Sequence, residues 1–220
     1  MSTGLSYTTF MCAGTVILVA DELSGSDRQD GLDALLYSQT VASRKFPDFA
    51  EFESWMRASK MAIRTLGGIL FSDPNVSHPV PISGGFTLGE LAQQVLRQWV
   101  PAAAVRSLEA SLELLSRRAS TSPESNVLRE HVLQQETRVQ FKFGVMSPGV
   151  AMAVAAIAFE CDEAVVGDIL SYRFCHEKIV GNVSISGYNA LVEPEDYDLS
   201  RDTIISLLGA RRQEHIIKLT

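Results

Sequence analysis

Reactive residues are scarce in this chain, and those present are not arranged for chemistry. Its 220 residues include three cysteines and four histidines. An odd cysteine count excludes complete internal pairing, and no CxxC spacing occurs. Cys12, Cys161 and Cys175 read as buried thiols acting as small hydrophobes. A Cys161–Cys175 disulfide, an intermolecular bond and lipid attachment are the alternatives. His78, His131, His176 and His215 show no metal-ligand spacing such as HExxH. Cys175 and His176 are adjacent, but neighbouring strand side chains point to opposite faces, so they make a poor nucleophile–base pair. There is no GxxxxGK[ST] loop to cradle phosphates, no GxGxxG after a strand, and no GxSxG nucleophile elbow. The chain therefore reads as a non-enzyme without metal or cofactor.

Positive charge is also in short supply. Lys and Arg total 19 against 26 Asp and Glu, a formal net charge of -7. Nucleic-acid binding needs clustered positive charge to displace counterions, so no nucleic-acid partner is expected. Long-range attraction to anionic lipid is equally absent. A membrane partner would have to be engaged through apolar burial or zwitterionic head groups. No apolar run reaches the roughly 20 residues of a transmembrane helix. Phe10–Ala20 resembles the core of a signal peptide, but Met1–Thr9 holds no Lys or Arg. It reads instead as a buried strand, in a protein made soluble.

What is present is a globular pattern, 46% hydrophobic and 20% charged, consistent with one domain over residues 1–220. Thr15–Ala20 is a β-branched strand. Ser26 is a candidate N-cap for a helix over Asp27–Ala42 bearing Leu32, Leu35 and Leu36. A second helix runs from about Phe49 to Leu66, with Phe52, Trp55, Met56, Ser59, Ile63 and Leu66 on one stripe, ending at Gly67-Gly68. Residues 72–85, rich in Pro and Gly, read as a loop with room for one edge strand. Thr87 and Glu90 have capping-box spacing. They open a helix with Leu88, Leu91, Val95 and Trp99 on its stripe. After Pro101 a further helix carries Val105, Leu108, Leu112 and Leu115. Ala119–Ser125 reads as a polar turn. Packing against the sheet is the expected role of Trp55, Ile63, Leu91, Trp99, Leu108 and Leu112.

Beyond residue 136 the period changes to two. In Thr137–Val145, Val139, Phe141, Phe143 and Val145 face one way and Arg138, Gln140 and Lys142 the other, which predicts a half-buried strand. Ser147-Pro148-Gly149 is a turn. Val150–Cys161 is apolar on both faces until Glu160. Ile169–Cys175 and Ile179–Val192 are further strand candidates, followed by a short helix over about Ser200–Leu208 and then Ile216 and Ile217. The acidic residues Glu193, Glu195, Asp196 and Asp198 read as a solvated loop rather than a Ca²⁺ site, since EF-hand spacing is missing. Glu160 and Asp162 read as a strand-end turn. Segregated helices and long strands predict an α+β fold. The long strands match the roughly 9 to 11 residues of a tilted membrane strand. The candidate membrane-engaging residues are Val139, Phe141, Phe143, Val145, Val150, Met152, Val154, Ile157, Phe159, Ile179, Val183 and Ile185. A membrane-spanning sheet from so few strands closes only by self-association.

Val139–Asp162 resembles the central hairpin of the Cyt δ-endotoxin and volvatoxin-like cytolysin family. In that family an aromatic-alternating strand leads through a polar turn into G-x-x-M-A-V-x-x-x-A-F-E, matched here by Gly149, Met152, Ala153, Val154, Ala158, Phe159 and Glu160. The order of elements is similar along most of the chain. The resemblance implies a three-layer domain, a mainly antiparallel sheet between two helical hairpins. It also implies a protein released or secreted to act on target-cell membranes, damaging them without a protein receptor through oligomeric pores or detergent-like disruption. A non-lytic lipid-binding or carrier domain on the same fold is the alternative.

Overall fold

The computed structural model describes residues 6–72, 84–118 and 121–219. The chain begins with a hairpin, β1 (Tyr7–Cys12) and β2 (Thr15–Ala20). Its two-residue turn, Ala13-Gly14, has φ of 46° and 76°. Such doubly left-handed turns match the twist of paired strands. The apolar run Phe10–Ala20 is thus two paired strands rather than one.

Helix α1 (Gly25–Lys45) follows. It is capped not by Ser26 but by Ser24, whose side chain accepts from the Asp27 amide. After a 3-10 turn at Phe49–Glu51 comes α2 (Phe52–Thr65), which ends in the glycine pair expected of a helix stop. A short edge strand, β3 (Ile69–Ser72), comes next. Most of the predicted Pro/Gly loop lies outside the described residues.

Helix α3 (Leu88–Leu96) opens with the Thr87–Glu90 capping box, both of its hydrogen bonds being formed. α4 (Ala102–Ser116) starts after Pro101. Of the predicted polar turn at 119–125, residues 119 and 120 lie outside the described residues, and 123–125 already belong to a helix. Ser122 caps α5 (Pro123–Val132), with proline in the first turn where its missing N–H costs nothing.

The strands are β4 (Leu133–Gln134), β5 (Arg138–Ser147), β6 (Ala151–Cys161), β7 (Ile179–Leu191) and β8 (Ile216–Leu219). Short helices α6 (Pro194–Asp198), α7 (Arg201–Leu208) and α8 (Arg211–His215) precede β8. Two expectations fail here. Ile169–Cys175 forms no strand beyond a single Phe174–Phe86 bridge, because Ile169, Leu170 and Phe174 are buried singly from a loop. The acidic residues after Glu193 form the turn of α6, and Asp198 pairs with Arg201.

All strands join one open mixed sheet, ordered β3-β7-β6-β5-β2-β1-β8, with β4 beside β5. Every pairing is antiparallel except β2–β5. That single parallel pair arises because the chain from β2 to β5 crosses both helical layers. One apolar core lies between the sheet and α1, α2, α6 and α7. The other lies between the opposite face and α3, α4 and α5. The fold is α+β, with helices on both faces of the sheet. Among the described residues, no helix is long and apolar enough to cross a membrane.

Candidate functional site

The centre of the sheet is an antiparallel meander of three long strands. β5, β6 and β7 contain 10, 11 and 13 residues. β5 and β6 pair without interruption from Arg138↔Glu160 to Ser147↔Ala151. β6 and β7 pair from Ala151↔Leu191 to Ala158↔Ser184, and after an irregularity again at Cys161↔Ile179.

The two faces of this meander differ chemically. Toward α3 and α4 lie Val139, Phe141, Phe143, Val145, Ile157 and Phe159, all buried, with Ile179, Val183 and Ile185 half-buried against them. Phe141 and Phe143 rings sit 5.6 Å apart. The helices contribute Leu91, Leu108 and Leu112, and Trp99 covers Gly187, where an added Cβ would come within 2.5 Å of the indole. Gly144 is similarly enforced, by backbone: a Cβ there would meet the Ala153 carbonyl at 2.6 Å. No charged side chain interrupts this face of the meander.

Toward α1 and α2 the same strands present Gln140, Lys142, Ser184, Ser186 and Tyr188 among small alanines, with Met152 and Val154. Trp55 and Ile63 belong to the helical side of this core. The candidate strand residues are therefore divided. Nine lie on the α3–α4 face, and Met152 and Val154 lie on the opposite one. Val150 lies in the β5–β6 turn with φ of 56° and packs in the α1–α2 core.

The half-buried reading of β5 is overturned. Gln140 is 0% and Lys142 4% exposed, because α1 and α2 roof the face that alternation assigned to water. Neither end of the Gln140 amide has a hydrogen-bond partner among the described residues, a cost of about 1–3 kcal/mol. The Lys142 ammonium donates to the His131 carbonyl at 3.3 Å and lies 5.1 Å from the Trp55 ring centre. Burial pushes its pKa down to about 8. Gln39 links α1 to the sheet, donating to the Cys12 carbonyl and accepting from the Thr15 hydroxyl. Burial raises the Tyr188 hydroxyl to about 12. The signal for this polar seam was in the sequence, as Gln140 and Lys142 at alternate positions of an otherwise apolar strand.

The helical layers are held differently. α1 is tied to the C-terminal helices by Asp30–Arg201 and Asp33–Arg212, each with contacts of 2.8 Å. Asp30–Arg201 is a charge-assisted fork, and Asp33–Arg212 carries one charge-assisted hydrogen bond, Nε to Oδ1 at 3.0 Å; both belong to the stronger class of hydrogen bond. α3 and α4 are held chiefly by apolar packing, with a Thr9–Ser111 hydroxyl contact of 2.6 Å.

The remaining sequence candidates do not assemble into a centre. Cys12 and Cys161 are buried free thiols, but Cys175 is exposed and unbonded, against the expectation of three buried ones. Glu160 pairs with Arg138, while Asp162 pairs with Lys178. Among the described residues, no cluster of His, Cys, Asp or Glu could hold a metal.

No protein-family model and no curated protein matches this chain. Among solved structures, it is similar to the Evf virulence factor, with 8% identity and a TM-score of 0.35 over 99% of this chain and 87% of that one. A similarity of that depth carries no functional argument.

Proposed function

We propose that this chain is a membrane-damaging protein of the Cyt cytolysin type, which binds lipid bilayers directly and permeabilises them. The observation that supports this reading best is the two-faced meander. A strand in a membrane-spanning sheet needs an apolar lipid side, a polar lumen side and roughly 9 to 11 residues. All three strands have the length and the apolar side, β5 and β7 add the polar side through Gln140, Lys142, Ser184 and Ser186, and the connection between β5 and β6 is short. The unpartnered Gln140 amide and the buried Lys142 are costly in the closed form and would be solvated in a lumen.

In this reading α3 and α4 are the layer that leaves. Their contacts with the sheet are chiefly apolar, and lipid chains replace apolar contacts at little net cost. α1 stays, anchored by Asp30 and Asp33. The exposed meander then meets lipid through Phe141, Phe143, Ile157 and their neighbours. Three strands from one chain cannot close a barrel, and open edges are not tolerated in hydrocarbon, so permeabilisation through a barrel requires self-association.

The test is dye release from phosphatidylcholine vesicles, with and without prior trimming of the protein by a protease. Leakage at low protein-to-lipid ratio, with oligomers recovered from the vesicles, is the expected result. Flotation with the vesicles but no leakage would leave a non-lytic lipid-binding or carrier domain. No leakage and no flotation in either form, across pH, would overturn the proposal.

A further inference from the structure

A second feature lies away from the apolar face, at the end of the sheet where α1, α5 and α8 converge on the β1–β2 turn. A cavity of about 210 Å³ opens there, and its lining includes Arg44, Lys142, His131, Arg211, His215 and Gln39. In a protein of net charge -7, this cavity gathers three permanent or near-permanent cations and two imidazoles, and no carboxylate lines it.

The arginines of this region fall into two groups. Arg201 and Arg212 are consumed by Asp30 and Asp33. Arg44 and Arg211, which face the cavity, have no carboxylate partner among the described residues and are exposed. The floor is built rather than incidental. Lys142 is 4% exposed, yet it reaches the cavity. One of its donors goes to the His131 carbonyl, and an ammonium has three. Gln39, 3% exposed, is fixed beside it by its bonds to Cys12 and Thr15. His131 and His215 meet ring to ring, Nε2 to Nδ1, at 3.1 Å. Ser43 Oγ accepts from the Trp55 indole at 3.0 Å, leaving its own proton to donate at the rim.

A buried ammonium with unfilled donors is costly unless an anion completes it. Paired guanidinium forks above a point charge match a tetrahedral oxyanion better than a planar carboxylate pair. The volume is below the roughly 300 Å³ at which drug-sized ligand sites begin, which suits one phosphate group with a small substituent. We propose that this cavity is a binding site for a phosphate group, carried either by a free phosphate ester or by a phospholipid head group. The inference is independent of lysis, since it rests on the cationic cavity and not on the meander.

The test uses the full chain at pH 7 and constant ionic strength. Sodium phosphate replacing sodium chloride should raise the melting temperature saturably, by about 3–6 °C at ten times the dissociation constant. The variant Arg44→Ala/Arg211→Ala, altered only at exposed positions, should keep the circular dichroism spectrum and chloride melting curve while losing the phosphate shift. No phosphate-specific shift, or an equal shift in the variant, would overturn the site. A second arm separates the sources. If flotation on phosphatidylcholine vesicles falls at least about tenfold in the variant, the phosphate is a lipid head group. If flotation is unchanged while the phosphate shift is lost, the site holds and takes a free phosphate ester.

Discussion

Replacing Lys142 with methionine should make this protein more stable, although it removes a hydrogen bond. Lys142 sits mid-strand in β5, 4% exposed, under α1 and α2. Burial lowers its pKa from 10.5 to about 8. That fall corresponds to about 3 kcal/mol of penalty on the charged form at neutral pH. Against this stand the bond to His131 and the contact with Trp55, each worth about 1 kcal/mol. The methionine is nearly isosteric, so little strain offsets the gain. A net stabilisation of about 1 kcal/mol follows, or roughly 2–4 °C in melting temperature for a chain of this size. The pH dependence gives a second reading. Between pH 8 and 10.5 the unfolded chain holds the lysine proton and the folded one has lost it, so this group makes stability rise with pH across that window. The variant should lack that rise. Chemical denaturation at pH 7 and pH 10 measures both. A variant less stable by 1 kcal/mol or more at pH 7, with the alkaline rise intact, would refute the reasoning.

Other perturbations have equally definite outcomes. Burial, then Lys142, then His215 push the His131 pKa down to about 3. The contribution of this group to stability is therefore full above about pH 6.5 and is lost as pH falls toward 3, because the unfolded chain takes up the proton first. Arg44, Arg211 and Lys142 face the same cavity and add no compensating negative charge. His131→Gln should have a shallower acid slope in melting temperature than wild type. Asp33→Ala leaves Arg212 without its buried partner and should cost about 3–5 kcal/mol in urea unfolding. Leu108→Ala opens a void between α4 and the sheet, costing about 2–5 kcal/mol. If α3 and α4 are the layer that moves, dye release should become faster in the Leu108 variant despite that loss.

Several elements were legible because local chemistry dictates them. The Thr87 capping box, the glycine stop after α2 and the uninterrupted strands β6 and β7 need no tertiary information. α5 escaped notice because it is a short helix with two fully buried residues, Leu128 and Val132, too few for a periodic stripe. Ile169–Cys175 misled because three buried apolar side chains in a loop imitate a strand. β5 was assigned as a strand but not with its second face covered. Alternation reports which residues are polar, and Gln140 and Lys142 are polar yet roofed by α1. The cationic cavity was not legible at all. Arg44, His131, Lys142 and Arg211 come from four separate elements, and only the folded topology brings them together.

The central claim is that β5–β7 meet lipid with one face and water with the other, and site-specific fluorescence tests it most directly. In a Cys175→Ser background, with Cys12 and Cys161 buried, an environment-sensitive dye is attached singly to Val183→Cys, Ser184→Cys, Ile185→Cys and Ser186→Cys. All four positions are at least partly exposed in β7, so labelling need not breach a packed core. On phosphatidylcholine vesicles the account predicts blue-shifted, lipid-quenchable emission at 183 and 185 and aqueous emission at 184 and 186. Uniform emission at all four positions, or emission unchanged from the vesicle-free protein, would contradict it.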